Sequence, residues 1–239
     1  MTRAVTGVYR GASAEQRRAQ RRRRLMDAGL DIIGTQGWSA TTVRGVCEQA
    51  RVGPRFFYES FDDLDALAAA VHDEIRDTAL ERALEAVAAA PDDVGAKIRA
   101  GIETIITDVT DDPRRARVAF AEAHGSVTLM HRRFTAMRTI AGVIVDQAHE
   151  LLDLPSDSEH VVQAVAQLLT GGVTELVLVW INDGVAIDRT ALIDISVEFT
   201  RTMLENLTDI TEKVSGGAGE APGTADSPDG PSETGNAPH

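Results

Sequence analysis

TTVRGVCEQARVGPRFFYESFDDLDAL, residues Thr41 to Leu67, is the stretch whose reading decides the fold. Thr41 or Thr42 can cap a short helix whose Val43, Val46 and Ala50 face inward. Val52-Gly53-Pro54 then turns the chain, Pro54 being suited to the first position of a third helix that carries Arg55 to Phe61. A capped support helix, a turn through Gly53 that is too tight for large side chains, and a short helix with a polar and aromatic edge are the parts of a helix-turn-helix. In that motif the second helix enters the major groove with its N-terminal residues against base edges.

Outward on the N-terminal side, a helix is expected from Ala14 to Gln36. Leu25, Ala28 and Ile32 share one face, Leu30 and Ile33 widen it, and Gly37 is placed to end it in a left-handed conformation. Trp38 reads as a core plug under this unit. On the C-terminal side, Asp62-Asp63 suits the positive end of a longer helix that Pro91 stops. Further helices are expected near 93–110, 113–125, 127–153, 157–183 and 188–213, and no stretch reads convincingly as a strand. Ser215 to His239 holds six Gly and four Pro and nothing apolar larger than Ala, so residues 215–239 are expected to be a disordered tail. The expected class is all-α: an arginine-containing arm over 1–13, a three-helix helix-turn-helix domain over 14–61, and a larger helical domain over 62–214, for which the resemblance given below implies ligand binding and dimerisation.

Charge supports that division. The 239-residue chain is acidic overall, at −13, yet residues 1–64 hold 11 arginines against 7 acids, which leaves −17 on the rest. Eight of those arginines fall within the first 24 residues. A basic end on an acidic body can grip a polyanion while presenting that end only. A solvated helix face or a loose arm is the other reading of RRAQRRRR. The single cysteine, Cys47, forms no disulfide within the chain and reads as a small buried residue or, less simply, a redox switch. The polar, arginine-rich opening and the lack of 18 uninterrupted apolar residues set the expectation of a cytoplasmic protein with no membrane partner.

RLMDAGLDIIGTQGW (Arg24 to Trp38) followed by Thr41 to Leu67 resembles the TetR family of bacterial transcriptional repressors. The resemblance implies a homodimer formed mainly by the last two helices and a ligand cavity in the larger domain. Carried over position by position, Thr42 and Arg44 would contact phosphate, Gly53, Pro54, Arg55, Phe56 and Tyr58 would face double-stranded DNA, and Phe57 and Phe61 would pack. Arg55 is expected to read a base, since a guanidinium bonds bidentately to guanine O6 and N7. The chain has Arg51 where the family usually has glycine, and Leu64 where it often has lysine. Arg10, Arg17, Arg18 and Arg21 are the expected compensation, reaching backbone or an adjacent minor groove.

In the larger domain, Phe120, Met130, Phe134 and Met137 recur at the spacing of an inward stripe that either fills a core or lines a pocket for an apolar or amphipathic effector. Glu122 and His124 either line that pocket or are solvated. Thr174, Glu175 and Trp180 sit among aliphatics, and a buried Glu175 would need a ligand or a dimer bond as partner. Leu168, Gly171, Gly172, Leu176, Val179, Val197 and Leu204 are expected at the dimer interface, the glycines allowing another backbone to approach. No cofactor or metal is expected: His124 and His131 are seven apart with no carboxylate completing a ligand set. The function expected is a ligand-released, sequence-specific repressor. The competing classes are a constitutive architectural DNA-binding protein, for which a filled interior would speak, and a helical enzyme, for which no acid, base or nucleophile constellation can be defended.

Overall fold

The computed structural model describes residues 13–121, 125–151 and 158–217, all helices and their connections. The first unit is α1 (Ala14–Gln36), a 3-10 turn at Trp38–Ala40, α2 (Val43–Ala50) and α3 (Pro54–Tyr58); the second is α4 (Leu64–Ala89), α5 (Val94–Thr110), α6 (Pro113–Ala116), α7 (Val127–Leu151), α8 (Glu159–Ile181), α9 (Arg189–Glu205) and α10 (Leu207–Gly217). Most starts are fixed by a side chain that accepts from an otherwise unpaired amide: Ser13, Thr42, Asp63, Asp93, Asp112 and Asp188 all cap in this way. Ser13 forms a full capping box with Gln16.

Leu25, Ile32, Ile33, Val46, Phe57 and Leu67 are buried together, and the same core continues along α4 through Val71, Ile75 and Ala79 and on to Val109, Val118 and Leu129. The first three helices therefore do not end in a core of their own at residue 61. Half-buried Trp38 packs on this core. Where α1 meets α6, a Cβ on Gly34 would lie 2.5 Å from Cβ and 2.7 Å from Cα of Arg114, so only glycine permits the approach.

Three local expectations are corrected. Gly37 has φ 88 but ψ 164, a positive-φ extended residue and not a left-handed helical one. At the end of α2 the left-handed position is Arg51, φ 52 and ψ 46, and Gly53 is ordinary extended backbone at φ −66. The 113–125 helix is one α-turn followed by a π-helical stretch, Arg117–Ala121, whose wider turn buries Val118 beneath α1 and α4. The last helix breaks at Asn206, whose amide donates to Thr202 O at 2.8 Å and competes with the helical ladder. Of the expected tail, 215–217 close α10 and 218–239 lie outside the described residues, as do 1–12.

Length and composition alone would let α8 cross a membrane, and among the described residues it is the one helix that passes that test. One of its faces is buried against α7, α9 and α10, which accounts for part of that apolar character, while Leu168 and Val179 remain exposed.

His72 on α4 is buried under the π-helical stretch and hydrogen-bonds the Ala119 backbone, while its Nδ1 has no hydrogen-bond partner and lies 4.0 Å from Asp73 Oδ1. Burial pushes its pKa down from 6.5 to about 4, opposed by Asp73 and assisted by Arg76 and Arg132. Below pH 6.5 the unfolded chain takes up a proton that the folded chain refuses until about pH 4, so this group removes stability as pH falls through that window. His72→Gln is expected to flatten the urea-midpoint profile between pH 6.5 and 4 relative to the unaltered chain; parallel profiles would contradict it. A second variant tests the strained turn. Arg51→Gly relieves a positive φ worth about 1 kcal/mol, so the urea midpoint should rise at unchanged slope.

Candidate nucleic-acid interface and ligand cavity

The recognition edge rests on a helix of five residues, too short to hold itself. Phe57 anchors it: fully buried, it meets Phe61 at 5.8 Å and stands edge-on to Tyr58 at 5.4 Å between centroids. The alternate side is left outside, with Phe56 at 38% and Tyr58 at 60% exposure. Arg55 is exposed and reaches Glu59 at 3.3 Å, one turn on. At the start of α2, Thr42 Oγ1 accepts from Gly45 N at 3.0 Å, and the exposed Arg44 pairs with Glu48 at 2.8 Å. Thr42, Arg44, Gly53, Pro54, Arg55, Phe56 and Tyr58 thus sit on the two helices of the motif, with Phe57 and Phe61 buried behind them.

The arginines of α1 are placed differently from a free basic arm. Arg18 Nη2 donates to Glu59 O at 2.9 Å and Arg22 Nη1 to Ser60 O at 2.8 Å, satisfying carbonyls at the C-terminal end of α3. Arg22 also stacks over Phe61, and half-buried Arg21 over Phe56, each guanidinium carbon 4.3 Å from the ring centroid. Arg24 reaches Arg51 O at 3.3 Å. Arg17 has a partner as well, and Arg3 and Arg10 lie outside the described residues. Sequence reading found the charge and missed this clasp; the signal was the spacing of Arg18, Arg21 and Arg22 along one face of α1.

A second feature lies at the far end of α4. Helices α4, α5, α7, α8 and α9 line a half-open cavity of about 200 Å³, with Leu80 and Val87, Ile98 and Ile102, Val143 and Ile144, and Val173, Thr174 and Leu204 in its walls. Lys97 and Gln147 are its long polar side chains. Lys97 Nζ is held by the exposed Asp92 at 2.7 Å, and Gln147 Nε2 donates to Glu150 at 3.0 Å.

Of the described residues expected at a pocket, Thr174 alone lines this cavity. Phe120 packs partly buried between the first and second cores. Met130 and Phe134 face outward, the latter 53% exposed, so the apolar stripe of α7 that lines the cavity is its C-terminal half and not its N-terminal one. Met137 covers Gly171, its Cε 3.6 Å from where a Cβ would stand, so a side chain of the same molecule, not another backbone, fills that space. Glu175 is exposed and paired with Arg133 at 3.1 Å, which removes the problem of a buried carboxylate. Trp180 Nε1 donates to Ile187 O at 2.9 Å. Glu122 and His124 lie outside the described residues.

The expected interface residues divide. Leu168, 69% exposed, faces outward with Gly172 and Val179, joined by Ile195 and Phe199 of α9, which the sequence reading had not singled out. A Cβ on Gly172 would stand 3.8 Å from the Phe199 ring. Leu176 packs half-buried in the second core, Val197 is buried in it, and Leu204 lines the cavity, so Val197 and Leu204 turn inward. Cys47 is buried and free, and burial pushes its thiol up, away from thiolate chemistry. No group of three or more His, Cys, Asp or Glu among the described residues is placed to hold a metal ion.

Residues 25–71 match the family model of bacterial regulatory proteins, tetR family. No curated protein sequence matches the chain. Its fold resembles that of the fatty acid degradation regulator FadR from Bacillus halodurans, at 15% identity over 77% of this chain and 94% of that one, with TM-score 0.62. It also resembles FadR from Bacillus subtilis, solved in complex with stearoyl-CoA, at 18% identity over 78% and 97%, TM-score 0.58. A TetR family regulator from Marinobacter aquaeolei VT8 is similar at 16% identity over 77% and 97%, TM-score 0.55. Residues 25–71 thus carry the likeness to the tetR family of bacterial regulatory proteins, and with the helices that follow them the chain has the fold of solved TetR-family regulators.

Proposed function

We propose that this chain is a cytoplasmic, homodimeric repressor that binds a pseudopalindromic operator through residues 14–61 and leaves it when an apolar or amphipathic small molecule enters the helical domain, 62–214. The observation that carries this reading is the path of α4. Its first turns share, through Leu67 and Val71, the buried core that holds Phe57 of the recognition helix, and its last turns, through Leu80, Ala83 and Val87, form a wall of the cavity. One helix of 26 residues, about 39 Å long, thus joins the two places. The interface side chains face DNA as set out above, with Arg21 beside them, and each subunit places one α3 in a successive major-groove face.

Ion pairs mark where α4 is held. Arg82 on α4 and Arg115 on α6 both bond the buried Asp108 of α5. Nearer the recognition helix, Glu74 and Asp73 of α4 pair with Arg23 of α1 and Arg132 of α7, so a shift of α4 at the cavity is passed on to the helices that carry the motif.

The exposed apolar face of α8 and α9 around Leu168, Gly172, Val179, Ile195 and Phe199 suits a second copy of the chain. The cavity's lining suits an aliphatic chain, and Lys97 beside it suits an anionic head, a chemistry that agrees with the stearoyl-CoA named for the Bacillus subtilis neighbour. The cavity also favours an effector-responsive protein over a constitutive architectural one, whose interior would be filled.

Selection of duplexes from a randomised pool by the full-length protein, at two salt concentrations, should enrich a pseudopalindrome that survives the higher salt; only salt-sensitive, sequence-independent binding would withdraw the repressor reading. With that duplex as probe, a series of acyl-CoA thioesters should include one that releases it. Ile102→Trp, which fills the cavity, should keep operator affinity within about threefold and abolish that release. Release that persists unchanged in the variant would place the effector elsewhere.

A further inference from the structure

We infer that Phe56 reads the methyl group of a thymine, and that Arg21 is the positioning residue that aims it; the inference rests on the DNA-binding reading above. A phenylalanine ring 38% exposed at the recognition edge has neither donor nor acceptor for a base edge. The one apolar feature that bases present in the major groove is the thymine 5-methyl group, and contact with it releases water from both surfaces.

The ring is fixed before any DNA arrives. Arg21 covers one face at 4.3 Å. Gly53 borders the ring on another side, where a Cβ would stand 3.9 Å from Phe56 Cδ2. The backbone is tied at both ends: Phe56 N donates to Gly53 O at 2.9 Å, and Ser60 Oγ donates to Phe56 O at 3.0 Å. Arg18 and Arg22 then hold the end of α3 through Glu59 O and Ser60 O. Orientation settled in the free protein is freedom that binding need not remove. Arg55 differs, since its exposed guanidinium rests on Glu59 and must leave it to reach a guanine. Arg21, half-buried over the ring, acts through Phe56 and makes no phosphate contact of its own.

The test uses the full-length protein and a duplex selected from a randomised pool, with each thymine replaced singly by deoxyuridine, which lacks only the methyl group. One thymine in each half-site is expected to lose about fourfold in affinity on replacement. Phe56→Ala should bind the thymine and deoxyuridine duplexes equally. Arg21→Ala should shrink the thymine-to-uracil ratio, Arg21→Lys should recover part of it, and neither should change the slope of affinity against salt. Equal affinity of the unaltered protein for every thymine and uracil pair overturns the proposal, with no dependence on how the variants fold. Discrimination that survives in Phe56→Ala also overturns it. A slope that falls by about one in Arg21→Ala makes Arg21 a phosphate contact and removes its positioning role. Failure to enrich any specific duplex takes down the DNA-binding reading itself, and the present inference with it.

Discussion

Phe57 is the contact on which the recognition edge depends. Five residues cannot pay back the entropy of helix nucleation alone, so α3 exists because one of its side chains is buried completely while its neighbours remain outside. Burying a phenylalanine contributes roughly 1.5–3 kcal/mol, and the hydrogen bonds from Arg18 and Arg22 add to it by satisfying the carbonyls where α3 ends. The exposed residues Arg55, Phe56 and Tyr58 take their directions from that anchor, since at helical spacing one buried position fixes where the others point.

The anchor also ties DNA reading to the rest of the molecule. Phe57 shares its core with Leu67 and Val71 of α4, and that core runs on to Val109 and Val118. Gly34 lets α1 lie directly on Arg114 of α6, whose guanidinium reaches Asp31 at 3.1 Å; Asp31 in turn accepts from Gln49 of α2. The first three helices are therefore fastened both to α4 and to the α6 turn, and a shift of either is felt at the recognition helix.

Much of this was legible in the chain. Thr42, Gly53-Pro54 and Asp62-Asp63 mark the borders of short helices through local chemistry, and the helix-turn-helix follows from them. What escaped was settled by tertiary partners. The arginines of α1 look like a free basic arm by composition, and only the proximity of α3 turns Arg18, Arg21 and Arg22 into a clasp. Periodicity identified an apolar stripe on α7 but not which half of the helix meets α4 and α5, so Met130 and Phe134 were expected inside and Ile140 and Val143 were passed over. Gly37 was expected to be left-handed, yet the left-handed helix end falls on Arg51, which closes α2.

The size of the cavity bears on how an effector could act. A ligand with equal affinity for both states moves no equilibrium, however tightly it binds, and a swing from 99% to 1% DNA-competent requires about 5.5 kcal/mol of difference. A molecule that simply filled about 200 Å³ of preformed apolar space would be held by the conformation already present. Pockets for small molecules usually measure about 300–1,000 Å³, so on the proposed reading a long-chain amphipath that entered fully would have to part α4 and α5 from α7, α8 and α9. Under the proposed ligand response, that misfit would supply the difference in affinity, the apolar contacts being complete only in the parted state. Because α4 walls the cavity and shares the core in which Phe57 is buried, parting it would shift the support of the recognition helix.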